Sequence, residues 1–294
     1  MKTKRKRQIR LKEIKEREDK NKIAGEISHV MAKEAELNNN DSFIVGEGIE
    51  DNKEEATKEE STVNTLELPN GDEKENLMIE TTKEVVDKEK KTQIVVFGDS
   101  IWNEGRGTDG ISEQVMEQLD VEIYNCAIGG TAAAVDGEAP DREEWDSRSF
   151  SGMVYVARGI VDPDELMPND AACEVIKTVD FNEVDYVIVS YGLNDYFSDI
   201  TVYPERGYDK SSYVGALRYG INRLQKSFPQ LEVIITSPTY CEWFKGERQF
   251  ELGTYVECAR SVAQDMDVHF LDMYHALGKS PEEKMEYLSD GVHL

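Results

Sequence analysis

Four short blocks of the sequence carry groups suited to acyl transfer: Gly98-Asp99-Ser100, Asn125-Cys126-Ala127-Ile128-Gly129-Gly130-Thr131, Gly192-Leu193-Asn194-Asp195 and Asp290-Gly291-Val292-His293. Singly each is ordinary, since Gly-Asp-Ser suits a turn, Gly-Gly a tight loop and Asn-Asp a cap. Together they hold a hydroxyl, amide-bearing or unobstructed donors, an imidazole and a carboxylate. Serine is a weak nucleophile until a neighbouring base takes its proton. Of the four histidines, His29 lies in a charged tail, His269 falls inside an apolar run, and His275 follows it in a helical or turn segment. His293 is best placed, with Asp290 three residues earlier able to hold one ring tautomer while the other nitrogen faces Ser100. The tetrahedral oxyanion then needs donors aimed in advance, and the Ser100 and Gly130 N–H groups and the Asn194 amide are the candidates. A glycine at 130 lets its N–H approach a substrate without a side chain in the way.

Each block follows, or closes, a run of distinct character. Residues 92–97, 121–125, 184–192, 231–237 and 267–272 are short and rich in β-branched side chains, and most are continuous rather than alternating. Such runs suit strands covered on both faces. Helical patterns separate them. Val214, Leu217, Ile221 and Leu224 follow a Ser-Ser cap and stop before Pro229; Leu252, Tyr255, Val256, Ala259, Val262 and Ala263 form another stripe, and residues 111–119 and 171–179 give two more. Strands alternating with helices predict crossover units and a mostly parallel, three-layer α/β sheet. Sheets of that kind bind ligands at the carboxyl ends of their strands, where three of the four blocks fall.

Composition divides the 294 residues. Phe43 is the only aromatic before residue 92, and a segment so poor in large apolar groups cannot offset its ordering entropy. Residues 1–91 are therefore expected to be a mostly disordered charged tail, with a partly helical basic head and an acidic linker, and residues 92–294 a single domain. The tail's partner is left open: its basic head reads first as a solvated, partly helical segment and next as an arm that contacts anionic lipid or nucleic acid. The formal charge of the whole chain is −26, and most of it lies in the domain, which predicts repulsion of nucleic acid and a preference for neutral substrates. No apolar run approaches the ~20 residues needed to span a bilayer. The basic start lacks an apolar stretch behind it, so a secretory signal is not expected and the chain is assigned to the cytoplasm as written, or outside the cell if its true N-terminus differs. Cys126, Cys173, Cys241 and Cys258 are scattered without a Cys-x-x-Cys pair, which argues against a zinc knuckle.

The four blocks, in this order, resemble those of the SGNH (GDSL) hydrolase family. The resemblance spans residues 92–294. It implies a flavodoxin-like five-stranded sheet in the order 2-1-3-4-5 and ester hydrolysis through an acyl-serine, with no cofactor and no metal. It makes Ser100 the nucleophile, Asp290 and His293 the acid–base pair, and Ser100, Gly130 and Asn194 the oxyanion hole. Members usually continue past the histidine into a final helix, whereas only Leu294 follows here, so the resemblance implies a domain lacking that helix and a loosely held histidine loop. Ala127 stands where the family often has glycine. A small neutral ester is the expected substrate, an O-acetyl group on a carbohydrate being the first choice and a lipid or thioester the next. Trp145, Phe150, Tyr196, Phe197 and Tyr203 either line the site or pack the loops.

Other motifs point elsewhere and weigh less. Gly105-Arg106-Gly107-Thr108-Asp109-Gly110 spells a dinucleotide fingerprint, but its first glycine lies eight residues beyond Phe97, so a loop opening a helix is expected. Gly278-Lys279-Ser280 lacks the first glycine of a phosphate loop. His269, Asp272 and His275 have metal-ligand types in no zinc spacing. Asp99 and Asp195 are expected to stabilise turns. Two rival readings are a catalytically silent interaction protein using its charged tail and a flavodoxin-like cofactor binder using residues 105–110.

Overall fold

A computed structural model describes residues 90–107, 110–135, 148–204, 206–242 and 247–293. The expected tail, apart from its last two residues, lies outside this range.

Five strands, β1 (Thr92–Gly98), β2 (Val121–Asn125), β3 (Tyr186–Ser190), β4 (Glu232–Thr236) and β5 (His269–Leu271), form one sheet in the order β2-β1-β3-β4-β5. Every pairing is parallel, with Ile94 opposite Ile123 on one side and Tyr186 on the other. All five residues of β3 and the last five of β1 are buried, which is why these runs are continuous instead of alternating. The helices flank the sheet, giving the flavodoxin-like α/β fold.

The helices follow from capping and stripe. α1 (Ser100–Asn103) begins where the Asp99 carboxylate accepts from the Ile101 N–H, and α2 (Ile111–Gln118) begins at Gly110. After β2 come α3 (Phe150–Ala157), α4 (Pro163–Leu166) and α5 (Ala171–Ile176). α6 (Leu193–Phe197) follows β3 directly, and α7 (Tyr213–Ser227) starts at Ser212, whose hydroxyl accepts from the Gly215 N–H. α7 buries Val214, Leu217, Ile221 and Leu224, and it lies so close to α3 that a Cβ on Gly220 would come within 2.2 Å of the Phe150 ring. α8 (Leu252–Met266) ends at Asp267 in a left-handed conformation, α9 (Met273–Ala276) follows β5, and α10 (Pro281–Met285) opens with a Ser280/Glu283 capping box.

Strand order reverses direction at β1: the chain goes outward to β2, then returns past β1 to β3 and continues through β4 and β5. The loops leaving β1 and β3 therefore diverge at the carboxyl edge and open a crevice between them. Ser100 follows β1 and Asn194 follows β3 at this edge, and the loop after β2 contacts both the end of β1 and Asn194. All four cysteines are free thiols.

Candidate active site

The chain leaves β1 through Asp99, an extended residue that caps α1 and so makes Ser100 its first helical residue. Ser100 Oγ lies 2.9 Å from His293 Nε2, across 193 positions of sequence. The other ring nitrogen, Nδ1, lies 2.8 Å from Asp290 Oδ2. The second Asp290 oxygen accepts from the backbone N–H groups of Val292 (2.9 Å) and His293 (2.8 Å). Those backbone bonds, together with the ring contact, hold the Asp290 carboxyl down at about 2. A proton on Nδ1 directed at Asp290 leaves Nε2 as the acceptor for the Ser100 hydroxyl.

The loop carrying this pair is tied at several points. The Ser289 N–H donates to the His293 carbonyl at 2.8 Å, the Glu242 N–H donates to the Gly291 carbonyl at 3.2 Å, and Val292 is buried. Gly291 takes a positive φ of 87°, which a side chain would resist.

The loop after β2 runs alongside the end of β1, with the Ile128 N–H donating to the Gly98 carbonyl at 3.0 Å and the Thr131 hydroxyl donating back to the Ile128 carbonyl at 2.7 Å. It turns through Gly129 and Gly130, where Gly130 has φ +74° and an open space where a side chain would stand. A Cβ on Gly129 would lie 3.9 Å from the Ser100 Cβ, so the turn abuts the serine. From the β3 side, Asn194 Nδ2 donates to the Thr131 carbonyl at 3.0 Å. The neighbouring Asp195 accepts from the Ala133 and Ala134 N–H groups at 2.8 and 2.9 Å. Asp195 and Asp99 are both fully enclosed, and burial pushes their carboxyls up to about 6 and about 7 respectively. Asp99 caps the turn that starts α1, as its position suggested, whereas Asp195 holds the loop after β2 from across the fold.

Two residues beside Ser100 escaped the sequence reading. Glu104 Oε1 lies 3.4 Å from His293 Nε2. Arg106 donates to the carbonyls of Asn125 (2.8 Å) and Ala127 (2.7 Å) and to Asn103 Oδ1 (3.1 Å), tying the segment after Ser100 to the loop of Gly130. Asn125 completes this link by donating to the Trp102 carbonyl at 2.7 Å. The only sequence signal for Arg106 was its place inside the glycine-rich decoy.

The other candidates fall apart from this centre. His269 faces Glu232 on the neighbouring strand at 3.5 Å, and His275 Nδ1 contacts Asp272, whose other oxygen meets Arg260. Gly105 and Gly107 take positive φ in the loop that opens α2, while Gly278-Lys279-Ser280 leads into the cap of α10. Among the described residues, Asp164, Cys173 and Glu174 bring ligand atoms together, but the Lys177 ammonium already contacts Asp164 at 2.6 Å and Glu174 at 3.0 Å. Phe150 and Tyr196 are spent in packing, against Phe97 and Tyr191 and against Phe197 and Tyr255 respectively, whereas Tyr203 is exposed. Trp145 and His29 lie outside the described residues.

The sequence profile of the GDSL-like lipase/acylhydrolase family matches residues 96–294. No curated protein matches the chain. Among solved structures, a protein from Lactobacillus plantarum is similar at 18% identity and a TM-score of 0.46, over 65% of this chain and 80% of that one. An acetyl xylan esterase is similar at 18% identity and a TM-score of 0.44, over 69% and 91%. A carbohydrate acetylesterase family member from Sinorhizobium meliloti is similar at 19% identity and a TM-score of 0.41, over 69% and 89%.

Proposed function

This chain belongs to the GDSL-like lipase/acylhydrolase family, and from that premise we propose that it hydrolyses esters through an acyl-serine on Ser100. Its membership makes it an ester hydrolase; the residue roles and the substrate are the proposal. The observation that supports it is the unbroken relay from Ser100 Oγ to His293 Nε2 at 2.9 Å and from His293 Nδ1 to Asp290 at 2.8 Å.

In this reading, Ser100 Oγ attacks the ester carbonyl carbon while His293 Nε2 takes the hydroxyl proton. Asp290 keeps the ring in the required tautomer and stabilises the imidazolium. The carbonyl electron pair moves to oxygen, where the Ser100 and Gly130 N–H groups and Asn194 Nδ2 receive it. An amide nitrogen carries two protons, and the bond to Thr131 engages one, leaving the second for the oxyanion. Collapse of the tetrahedral intermediate breaks the bond to the alcohol, which leaves with the proton from His293. Water, deprotonated by the same nitrogen, then attacks the acyl-enzyme and returns Ser100 to its starting state. These steps need neither a metal nor a cofactor.

The substrate is a small neutral ester, with O-acetyl on a carbohydrate the first choice. Residues 92–294 are the unit that carries the activity. Hydrolysis of a short-chain aryl ester tests the assignment: Ser100→Ala should reduce kcat by at least ~10³-fold and abolish labelling by a fluorophosphonate. Undiminished turnover in that variant would overturn it.

A further inference from the structure

Glu104 is the first residue after α1, where its N–H donates to the Ser100 carbonyl at 2.8 Å. That bond fixes its backbone one turn beyond the nucleophile, and its Oε1 lies 3.4 Å from His293 Nε2. The same nitrogen is 2.9 Å from Ser100 Oγ. In the proposed chemistry, Nε2 hands its proton to the departing alcohol, so the alcohol portion of the ester must lie against Glu104 as it leaves.

Among the described residues, the group that can pair with this carboxylate is the His293 ring, and it does so as a cation only while protonated. Among the described residues, no lysine or arginine forms an ion pair with Glu104. Arg106, two positions on, is turned to Asn103 Oδ1 and the carbonyls of Asn125 and Ala127. Asp290 lies on the far side of the imidazole. The Glu104 side chain is 55% exposed, so its charge faces solvent and is open to a bound molecule instead of being enclosed by the protein.

We infer that Glu104 determines specificity by the charge of the alcohol portion, admitting esters of uncharged or cationic alcohols and rejecting esters of anionic ones, such as phosphorylated or carboxylated alcohols. The inference rests on the Ser100–His293 reading and assigns one residue to a discrimination that net charge alone leaves diffuse. Glu104 need not take a proton; its charge raises the energy of a second anion placed beside it.

Three aryl acetates with a common acetyl group test it. They differ only in the para substituent of the phenol: carboxylate, methyl ester or trimethylammoniomethyl. The full chain should show a lower kcat/KM for the anionic ester than for the other two. Glu104→Gln should relax the ratio of neutral to anionic ester by about tenfold, the size expected for one partly solvated charge a few ångströms away. Glu104→Lys should reverse the order of the anionic and cationic esters. Distortion of the site would slow all three esters together and leave the ratios unchanged, so unchanged ratios with measurable turnover overturn the role of Glu104 alone. Failure of the unaltered chain to hydrolyse any of the three overturns the serine-esterase reading and this inference with it.

Discussion

Asp290 accepts three hydrogen bonds through two oxygens, one from the imidazole and two from its own loop. An asparagine there would keep the size but present an NH₂ to one of these donors. If the amide oxygen stayed with the backbone, its nitrogen would face Nδ1 and favour the tautomer with the proton on Nε2, which cannot accept from Ser100. Asp290→Asn should therefore lower kcat by roughly 10²–10⁴-fold with a smaller effect on KM, measured with a neutral aryl ester. Combined with Ser100→Ala it should add almost nothing, since the two act as one unit. The Asp290–His293 pair was legible in the sequence because the three-residue spacing lies on one short loop. Glu104 was not, because its contact with His293 crosses the fold and an exposed glutamate after a serine turn carries no pattern of its own.

Between α1 and the loop after β2, the main tie is a guanidinium bound to backbone carbonyls. Arg106 reaches Asn125 O, Ala127 O and Asn103 Oδ1 from half-buried surroundings whose desolvation pulls its guanidinium below the usual range. Arg106→Lys keeps the charge but cannot span two carbonyls and an amide at once. It should reduce kcat by about tenfold through a displaced Gly130 turn while KM changes less, and steady-state kinetics would separate the two. A structural role without influence on the oxyanion side would instead lower stability and leave kcat as it was. Strand and helix runs were readable because burial on both faces of β1 and β3 selects continuous β-branched segments, and because α7 and α8 expose only one face. The Arg106 tie left no such trace: its main partners are carbonyl oxygens, which every residue has. The order of the strands also lay beyond periodicity, and came from the resemblance carried by the four blocks.

The domain encloses two carboxyls whose protons are easier to keep than to lose. Burial raises Asp99 to about 7 and Asp195 to about 6, against roughly 3.9 for an unfolded aspartate. Between pH 4 and pH 7 the folded state thus binds more protons than the unfolded state, so stability falls as pH rises through that window. Each group contributes at most about 1.4 kcal/mol per pH unit where its two states differ by a whole proton. Asp290 acts in the opposite sense, because its value near 2 gives stability above the unfolded range that is lost as pH drops toward 2. The urea midpoint should decline from pH 5 to pH 7.5, and Asp99→Asn should flatten that decline; an equally steep profile in the variant would contradict the account. The overall fold class followed from strand–helix alternation, but these enclosed acids did not, since a turn aspartate and an enclosed one are spelled alike.

The 193 positions between the proposed nucleophile and its proposed base also set a clock on the nascent polypeptide. At synthesis rates of about 5–20 residues per second, the hydroxyl is incorporated some 10–40 s before the imidazole that would activate it. On the proposed roles no turnover precedes the arrival of His293, and the first one reports that the segment beyond the edge strand β5 has closed onto the end of the interior strand β1.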